Sequence, residues 1–180
     1  TVVSLAIGQG ELGITPLQMA NISAIIANRG YYIKPHLVKL IDNRLPANRP
    51  VELDSHLIDI DTSYFEMLCR AMQKVVDKGT GYLARIDSME VCGKTGTVEN
   101  PHGDDHSTFL AFAPRENPQI ALSVYVENGV WGSRWAAPIA GLMIEKYLRD
   151  TVSRKDLETR MLNGNLIPKS EKPQERISAH

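Results

Sequence analysis

The sequence predicts an α+β domain, and three observations predict it. Two stretches in the first half carry apolar residues at helical spacing behind capping signals. Three later stretches, at about 90–98, 107–113 and 119–126, read as strands separated by turn residues. A last helical stretch then follows from Pro138. Helices first, then consecutive antiparallel strands, then a helix packing back is an α+β order rather than an alternating βαβ one.

Each element has its own local reason. Thr15-Pro16-Leu17-Gln18 is a helix start: Thr15 caps, Pro16 suits the first helical position, and Gln18 completes a capping box. This helix is predicted to run to about Asn28 with Gly30 as its stop, burying Ile22, Ile25 and Ile26. Residues 31–41 read as extended, with Pro35 confining them to an edge, and 42–61 as a surface excursion rich in proline and charge. Ser63-x-x-Glu66 is a second capping box, followed by Phe65, Leu68, Cys69, Met72, Val75 and Val76 at helical spacing as far as Lys78-Gly79. Gly79-Thr80-Gly81 makes a loop. In the middle strand Phe109, Ala111 and Ala113 face one way and Leu110 and Phe112 the other, so both faces are covered, as in a central strand. Ile120, Leu122, Val124 and Val126 share one side of the third strand, and Pro114 through Pro118 form the turn before it. The closing helix lines up Ile139, Leu142, Met143 and Tyr147 on one face. Residues 1–150 are expected to form the domain and 151–180 a polar C-terminal tail, frayed from about 165.

Composition removes several function classes. The chain has 180 residues, 43% hydrophobic and 23% charged, enough for one globular domain or a large piece of one. A formal net charge of -1 gives no reason to expect nucleic acid or an anionic membrane surface as partner. No apolar run reaches the roughly 20 residues of a membrane helix, and Thr1-Val2-Val3-Ser4 lacks the basic start of a signal peptide. Cys69 and Cys92 read as buried free thiols, with a single disulfide left open for an oxidising compartment.

The chemistry is concentrated in Gly93-Lys94-Thr95-Gly96-Thr97. A lysine and two hydroxyls between glycines suit a strand that lets an anionic ligand approach its backbone. Lys94 supplies charge for a carboxylate, Thr97 a hydroxyl, and the Thr97 N–H a donor for a developing oxyanion. A phosphate loop would need glycine where Ser88 stands and a helix after the lysine, so nucleotide binding is not the reading. His102, Asp104, Asp105 and His106 lie in a Pro101/Gly103 turn, which favours a solvated loop over a metal site; no metal and no cofactor are expected. Trp131 and Trp135 read equally as rim aromatics or as packing. The sequence contains no Ser-x-x-Lys and no Ser-x-Asn, so a serine acyl-transfer site would be only half present.

The surrounding motifs carry a resemblance. Ala6-Ile7-Gly8-Gln9-Gly10-Glu11, Thr15-Pro16-Leu17-Gln18-Met19-Ala20 and Ile26-Ala27-Asn28-Arg29-Gly30 resemble the segment before the last catalytic motif of class B penicillin-binding proteins. Gly93-Lys94-Thr95-Gly96-Thr97 is similar to that family's Lys-Thr-Gly motif, and Asp105-His106, Phe112-Ala113-Pro114 and Ala136-Ala137-Pro138-Ile139-Ala140 follow in the family's order. The match spans about residues 4 to 149 and fits the elongation-type members, the penicillin-binding protein 2 group, best.

The resemblance implies the C-terminal portion of the serine β-lactamase/transpeptidase-like fold. It also implies a parent D,D-transpeptidase that cross-links peptidoglycan stem peptides through a serine acyl-enzyme, binds β-lactam antibiotics at the same serine, and works with the cell-elongation machinery. Its place would be the extracytoplasmic, periplasmic face of the cytoplasmic membrane, held by an N-terminal helix. Lys94, Thr95, Gly96 and Thr97 would form the substrate-gripping strand. The serine would lie upstream, leaving this piece inert alone. With its upstream neighbours missing, exposed apolar surface would drive homo-oligomerisation or poor solubility. Two other readings are a serine β-lactamase fragment, against which the Gly8-Gln9-Gly10 and Thr15–Gln18 runs argue, and a non-catalytic scaffold module that kept one motif.

Overall fold

A computed structural model describes residues 13–37 and 55–166. Elements follow in the order α1 (Pro16–Ala27), β1 (Tyr31–Ile33), β2 (Ser55–Leu57), α2 (Thr62–Lys78), a 3-10 turn (Tyr82–Ala84), β3 (Cys92–Val98), β4 (His106–Ala113), β5 (Ile120–Val126), α3 (Ala136–Arg149) and α4 (Lys155–Leu162). Strands β3, β4 and β5 form an antiparallel sheet with β4 in the centre, and β1 and β2 form a separate antiparallel ribbon.

The sheet has a helical layer on each side. Alternation along β4 decides which residue goes where. Phe109, Ala111 and Ala113 join Leu122, Val76 and the Ala136, Ala137, Ala140 and Ile144 face of α3. Phe112 and Leu110 join Cys92 of β3, Cys69 and Met72 of α2, and Ile26 and Ala27 of α1. Both sets match the two faces expected for a central strand. Ile120, Leu122, Val124 and Val126 lie together on the α3 side, as their spacing predicts.

The start of α1 is as expected: the Gln18 N–H donates to Thr15 Oγ1 at 3.3 Å and the Thr15 N–H to Gln18 Oε1 at 2.8 Å. Its buried face is so only in part: Ile26 packs against the core as expected. Ile22 is exposed and Ser23 and Ala27 turn inward instead, because small side chains let the helix settle closely on β4 and β5. Gly30, in the left-handed region at φ 110°, carries the chain out of the helix toward β1.

Several expectations are corrected. The surface excursion contains β2, whose His56 ring stacks on Tyr32 of β1 at 4.9 Å between centroids. Within the described part, 31–37, of the stretch expected as extended, the strand is Tyr31–Ile33, and Pro35 lies beyond it. The cap of α2 is Asp61, whose Oδ1 accepts from the Ser63 N–H at 2.8 Å. Glu66, free of the expected capping box, accepts from Arg29 Nε at 2.8 Å and ties α2 to the end of α1. The buried stripe of α2 is the narrow set Phe65, Cys69, Met72 and Val76, with Leu68 exposed on its flank.

Helix α3 starts at Ala136, two residues before Pro138, and turns small residues inward. Gly141 abuts Ala84, where an added Cβ would come within 2.7 Å of the Ala84 Cα, so only glycine fits at this contact. Met143 and Tyr147 are exposed and, with Leu142 and Ile139, line a groove of about 690 Å³ shared with Ile120 and with Met161 and Leu162 of α4. The stretch expected as a polar tail therefore holds a helix, although none of the residues within α4 is buried. The motif at residues 6–11 and the expectations for 38–54 and 167–180 lie outside the described residues.

The turn joining α3 to α4 is held by a buried carboxylate. Glu145, 1% exposed, accepts from the Ser153 N–H and hydroxyl and from Arg154 Nε at 3.0 Å. Arg154 also donates to the carbonyls of Leu83 and Arg85, at 3.0 and 2.8 Å. Burial alone would raise the Glu145 pKa; the donors from Ser153 and then Arg154 outweigh it and hold it below the ordinary carboxylate range.

Candidate active site

Strand β3 is an edge strand among the described residues, paired only with β4. Its register sets Lys94 opposite Leu110, Thr95 opposite Phe109, Gly96 opposite Thr108 and Thr97 opposite Ser107. Lys94 is exposed while Thr95, Gly96 and Thr97 are half-buried, so the four residues form a continuous accessible ridge. Lys94 Nζ donates to the Thr95 carbonyl oxygen at 2.7 Å. A carbonyl reached by a solvent-exposed ammonium points toward the open edge. Backbone groups alternate along a strand, so those of Thr97 point the same way.

The glycines are explained by close approach. Gly93 is buried against Phe109; a Cβ there would lie 2.8 Å from Phe109 Cε1 and overlap the rest of the ring edge. Gly132 lies directly over the β3–β4 ladder: its Cβ would come 2.6 Å from the Thr108 carbonyl oxygen and 2.7 Å from that of Gly96. The loop that carries Gly132 is fixed at both ends. The Val130 N–H donates to the Asp105 carbonyl at 2.8 Å. The Ser107 hydroxyl donates to the Trp131 carbonyl at 2.9 Å and accepts from the Ala136 N–H at 3.1 Å. Val130 is held at φ 60°, a strained conformation for a β-branched residue.

The two tryptophans separate. Trp131 is exposed beside this loop, as a rim residue would be, whereas Trp135 packs on Gly164 beyond α4. A contact that sequence reasoning did not find joins Thr95 to Thr80: their Oγ1 atoms are 2.7 Å apart. The signal available was Gly79-Thr80-Gly81, read only as a loop.

The other candidate cluster is not drawn together. His106 Nδ1 accepts from the Asn128 N–H at 3.1 Å, which fixes the proton on Nε2, and its ring lies 5.2 Å from that of Tyr125. Asp105 Oδ1 accepts from the Asn100 N–H at 3.3 Å. Among the described residues no three metal-ligating side chains form a group that could hold an ion. Cys69 and Cys92 are free, buried thiols; burial, reinforced by the neighbouring Cys69, pushes the Cys92 pKa up to about 12. No helix among the described residues is long and apolar enough to cross a membrane.

Comparison with known proteins agrees with this architecture. The family model described as "Penicillin binding protein transpeptidase domain" matches residues 1–145. Among curated relatives, "Peptidoglycan D,D-transpeptidase MrdA" of Haemophilus influenzae is 33% identical, over 90% of this chain and 30% of its own length. The protein of the same name from Acinetobacter baumannii is 31% identical, over 99% of this chain and 29% of its own. The chain thus spans about 30% of the length of these relatives. Among solved structures, Pseudomonas aeruginosa PBP2 in complex with WCK 5153 superposes with a TM-score of 0.69 at 37% identity, over 80% of this chain and 31% of that one. Penicillin-binding protein A of Mycobacterium tuberculosis, as its imipenem acyl-enzyme, gives 0.67 at 29% identity, over 81% and 33%. The neighbours share the β-lactamase/transpeptidase fold, and this chain belongs to the penicillin-binding protein transpeptidase family, in its class B, penicillin-binding protein 2 type.

Proposed function

We propose that the chain is the C-terminal part, over residues 1–150, of the transpeptidase domain of a peptidoglycan D,D-transpeptidase, and that β3 is the wall of its site that grips the substrate. The single observation behind the assignment is that Lys94–Thr97 lie on an open sheet edge, with the carbonyl of Thr95 directed outward. Lys94 attracts the terminal carboxylate of a stem peptide, exchanging its bond to the Thr95 carbonyl for the ligand. Thr95 and Thr97 donate hydroxyl hydrogen bonds, and the Thr97 N–H supplies half of the oxyanion hole. Gly96 leaves room for the Thr108 side chain of β4, whose hydroxyl a Cβ there would overlap, and so keeps the ridge flat. The serine of a Ser-x-x-Lys elsewhere in a longer polypeptide attacks the D-Ala-D-Ala carbonyl. The terminal D-Ala leaves, and the amine of a neighbouring stem peptide takes the acyl group from the serine.

β-Lactams acylate the same serine in this scheme. The parent works at the extracytoplasmic face of the membrane, anchored by an N-terminal helix and associated with the elongation machinery. The exposed Met143, Tyr147 and Leu162 support self-association of this chain by itself.

Fluorescent penicillin tests the reading. The 180-residue chain should remain unlabelled, and the longer protein containing it should be labelled covalently at one serine. Labelling of the short chain, or none of the long one, refutes it. Rapid catalytic hydrolysis of a chromogenic cephalosporin by the long protein would instead favour a β-lactamase.

A further inference from the structure

We infer that Thr80 is a positioning residue for carboxylate recognition: it holds the Thr95 hydroxyl with its proton directed at the ligand. The inference rests on the proposed role of Lys94–Thr97.

The contact itself is the first observation. Thr80 Oγ1 and Thr95 Oγ1 are 2.7 Å apart, the spacing of a well-formed hydroxyl–hydroxyl hydrogen bond between residues 15 apart in sequence. The second is that the loop carrying Thr80 is fixed. The N–H groups of Gly79 and Gly81 both donate to the Val75 carbonyl, at 3.1 and 2.9 Å, and the Tyr82 N–H closes back on the Gly79 carbonyl at 3.2 Å. The third is that this loop and β3 share one support. The tip of the Phe109 ring, fully buried, packs against both Gly81 and Gly93; Cβ atoms there would come within 3.1 and 3.0 Å of its Cε2. Two glycines on one ring bring the end of α2 and the start of β3 close enough for the hydroxyls to meet.

Direction follows from chemistry. In the free protein either hydroxyl can be the donor. A carboxylate has only acceptors, so a Thr95 hydroxyl that binds one must donate to it. Thr95 then has only its lone pairs left for Thr80, and Thr80 must donate. Thr80 thus selects the one rotamer of Thr95 in which its proton leaves the protein, and polarises that hydroxyl through the chain of two bonds. Thr80 touches no reacting atom and needs no shift in its own pKa.

The test uses the longer protein and a labelled penicillin as probe. Thr80→Val keeps the shape of an exposed side chain and removes its hydroxyl. It should lower the second-order acylation rate about five- to tenfold, the worth of one neutral hydrogen bond. The loss should lie in the initial binding constant, with the rate at saturation unchanged. Thr80→Ser should restore the wild-type value. The methyl ester of the same penicillin lacks the carboxylate and should react equally with wild type and Thr80→Val. A Thr80→Val protein within twofold of wild type on the free acid overturns the inference, as does an equal loss on acid and ester, or failure of Thr80→Ser to restore it. A wild-type protein that is not acylated at all overturns the proposed role of Lys94–Thr97 as well.

Discussion

Replacing Arg154 by leucine isolates the energetic role of the turn between α3 and α4. The guanidinium donates to Glu145, which is 1% exposed, and to two carbonyls that follow the 3-10 turn or lie in it, while Arg154 itself is 24% exposed. Arg154→Leu keeps much of the aliphatic stem and leaves Glu145 with Ser153 alone. Breaking a buried ion pair on one side costs about 3–5 kcal/mol, and the partial exposure of Arg154 places this case near the lower end, at about 3 kcal/mol. For a chain of this size that is a fall of about 6–12 °C in the unfolding midpoint.

Because the folded pKa of Glu145 is depressed, its stabilisation is complete above the unfolded value of about 4.3 and is lost as pH falls through the folded value. The gap between wild type and Arg154→Leu should be widest near pH 7 and narrow below about pH 4, where the variant's carboxyl is protonated. Thermal and urea unfolding at one fixed protein concentration measure it. Adding Glu145→Gln should recover part of the loss, since no buried charge is then left alone. A gap that does not change with pH, or strictly additive single and double variants, would refute the reasoning.

Other consequences follow from the same geometry. Gly93→Ala forces a methyl group into the ring of Phe109 and should destabilise the fold by about 1–3 kcal/mol in urea unfolding, while Thr97→Ser, with no such collision, stays near wild type. The raised Cys92 pKa means stability that is complete below the unfolded thiol value of about 8.5 and is lost as pH rises from there toward about 12; alkaline unfolding in that window, with no reaction of either thiol toward iodoacetamide at pH 8 until the chain unfolds, is the expected result. Lys94→Gln in the longer protein should cut penicillin acylation at least tenfold and flatten its dependence on salt, as read by labelling rates at two ionic strengths. Thr15→Ala removes a cap and should cost about 1 kcal/mol, visible as a lower urea midpoint.

What was legible in the sequence depended on how local its cause was. The Thr15 capping box needs only four consecutive residues, and it formed as written. The two faces of β4 follow from strict alternation between Phe109–Ala111–Ala113 and Leu110–Phe112, which no tertiary contact can reverse without moving the whole strand. The cap of α2 was less determined, because Asp61 and Ser63 are both capping residue types; Asp61 takes the cap, and the Glu66 that a Ser63 box would use pairs with Arg29 instead. The inward face of α3 was hidden because alanine and glycine give weak hydrophobic signals, yet at Gly141 only glycine fits against Ala84. Strand β2 is three exposed residues, too short to show a period, and α4 buries none of its residues. The candidate ridge of Lys94 through Thr97 was suggested by composition, and the structure makes it accessible. The bond to Thr80 could not be read that way, because it depends on Phe109 holding two segments together.

The open edge of β3 faces two opposing demands. In its proposed role it accepts an extended peptide, yet a strand unpaired on one side among the described residues also invites the sheet of another molecule. Its composition separates the two guests. Lys94 projects a full charge where a second sheet would lie, and Gly93 and Gly96 remove the side chains that cross-strand pairing rewards. A neighbouring β3 would set lysine near lysine, whereas a peptide ending in a carboxylate brings the opposite charge. The side chain proposed to recruit the ligand thus guards the strand against its own copies, and neutralising it should expose the protein to edge-to-edge aggregation.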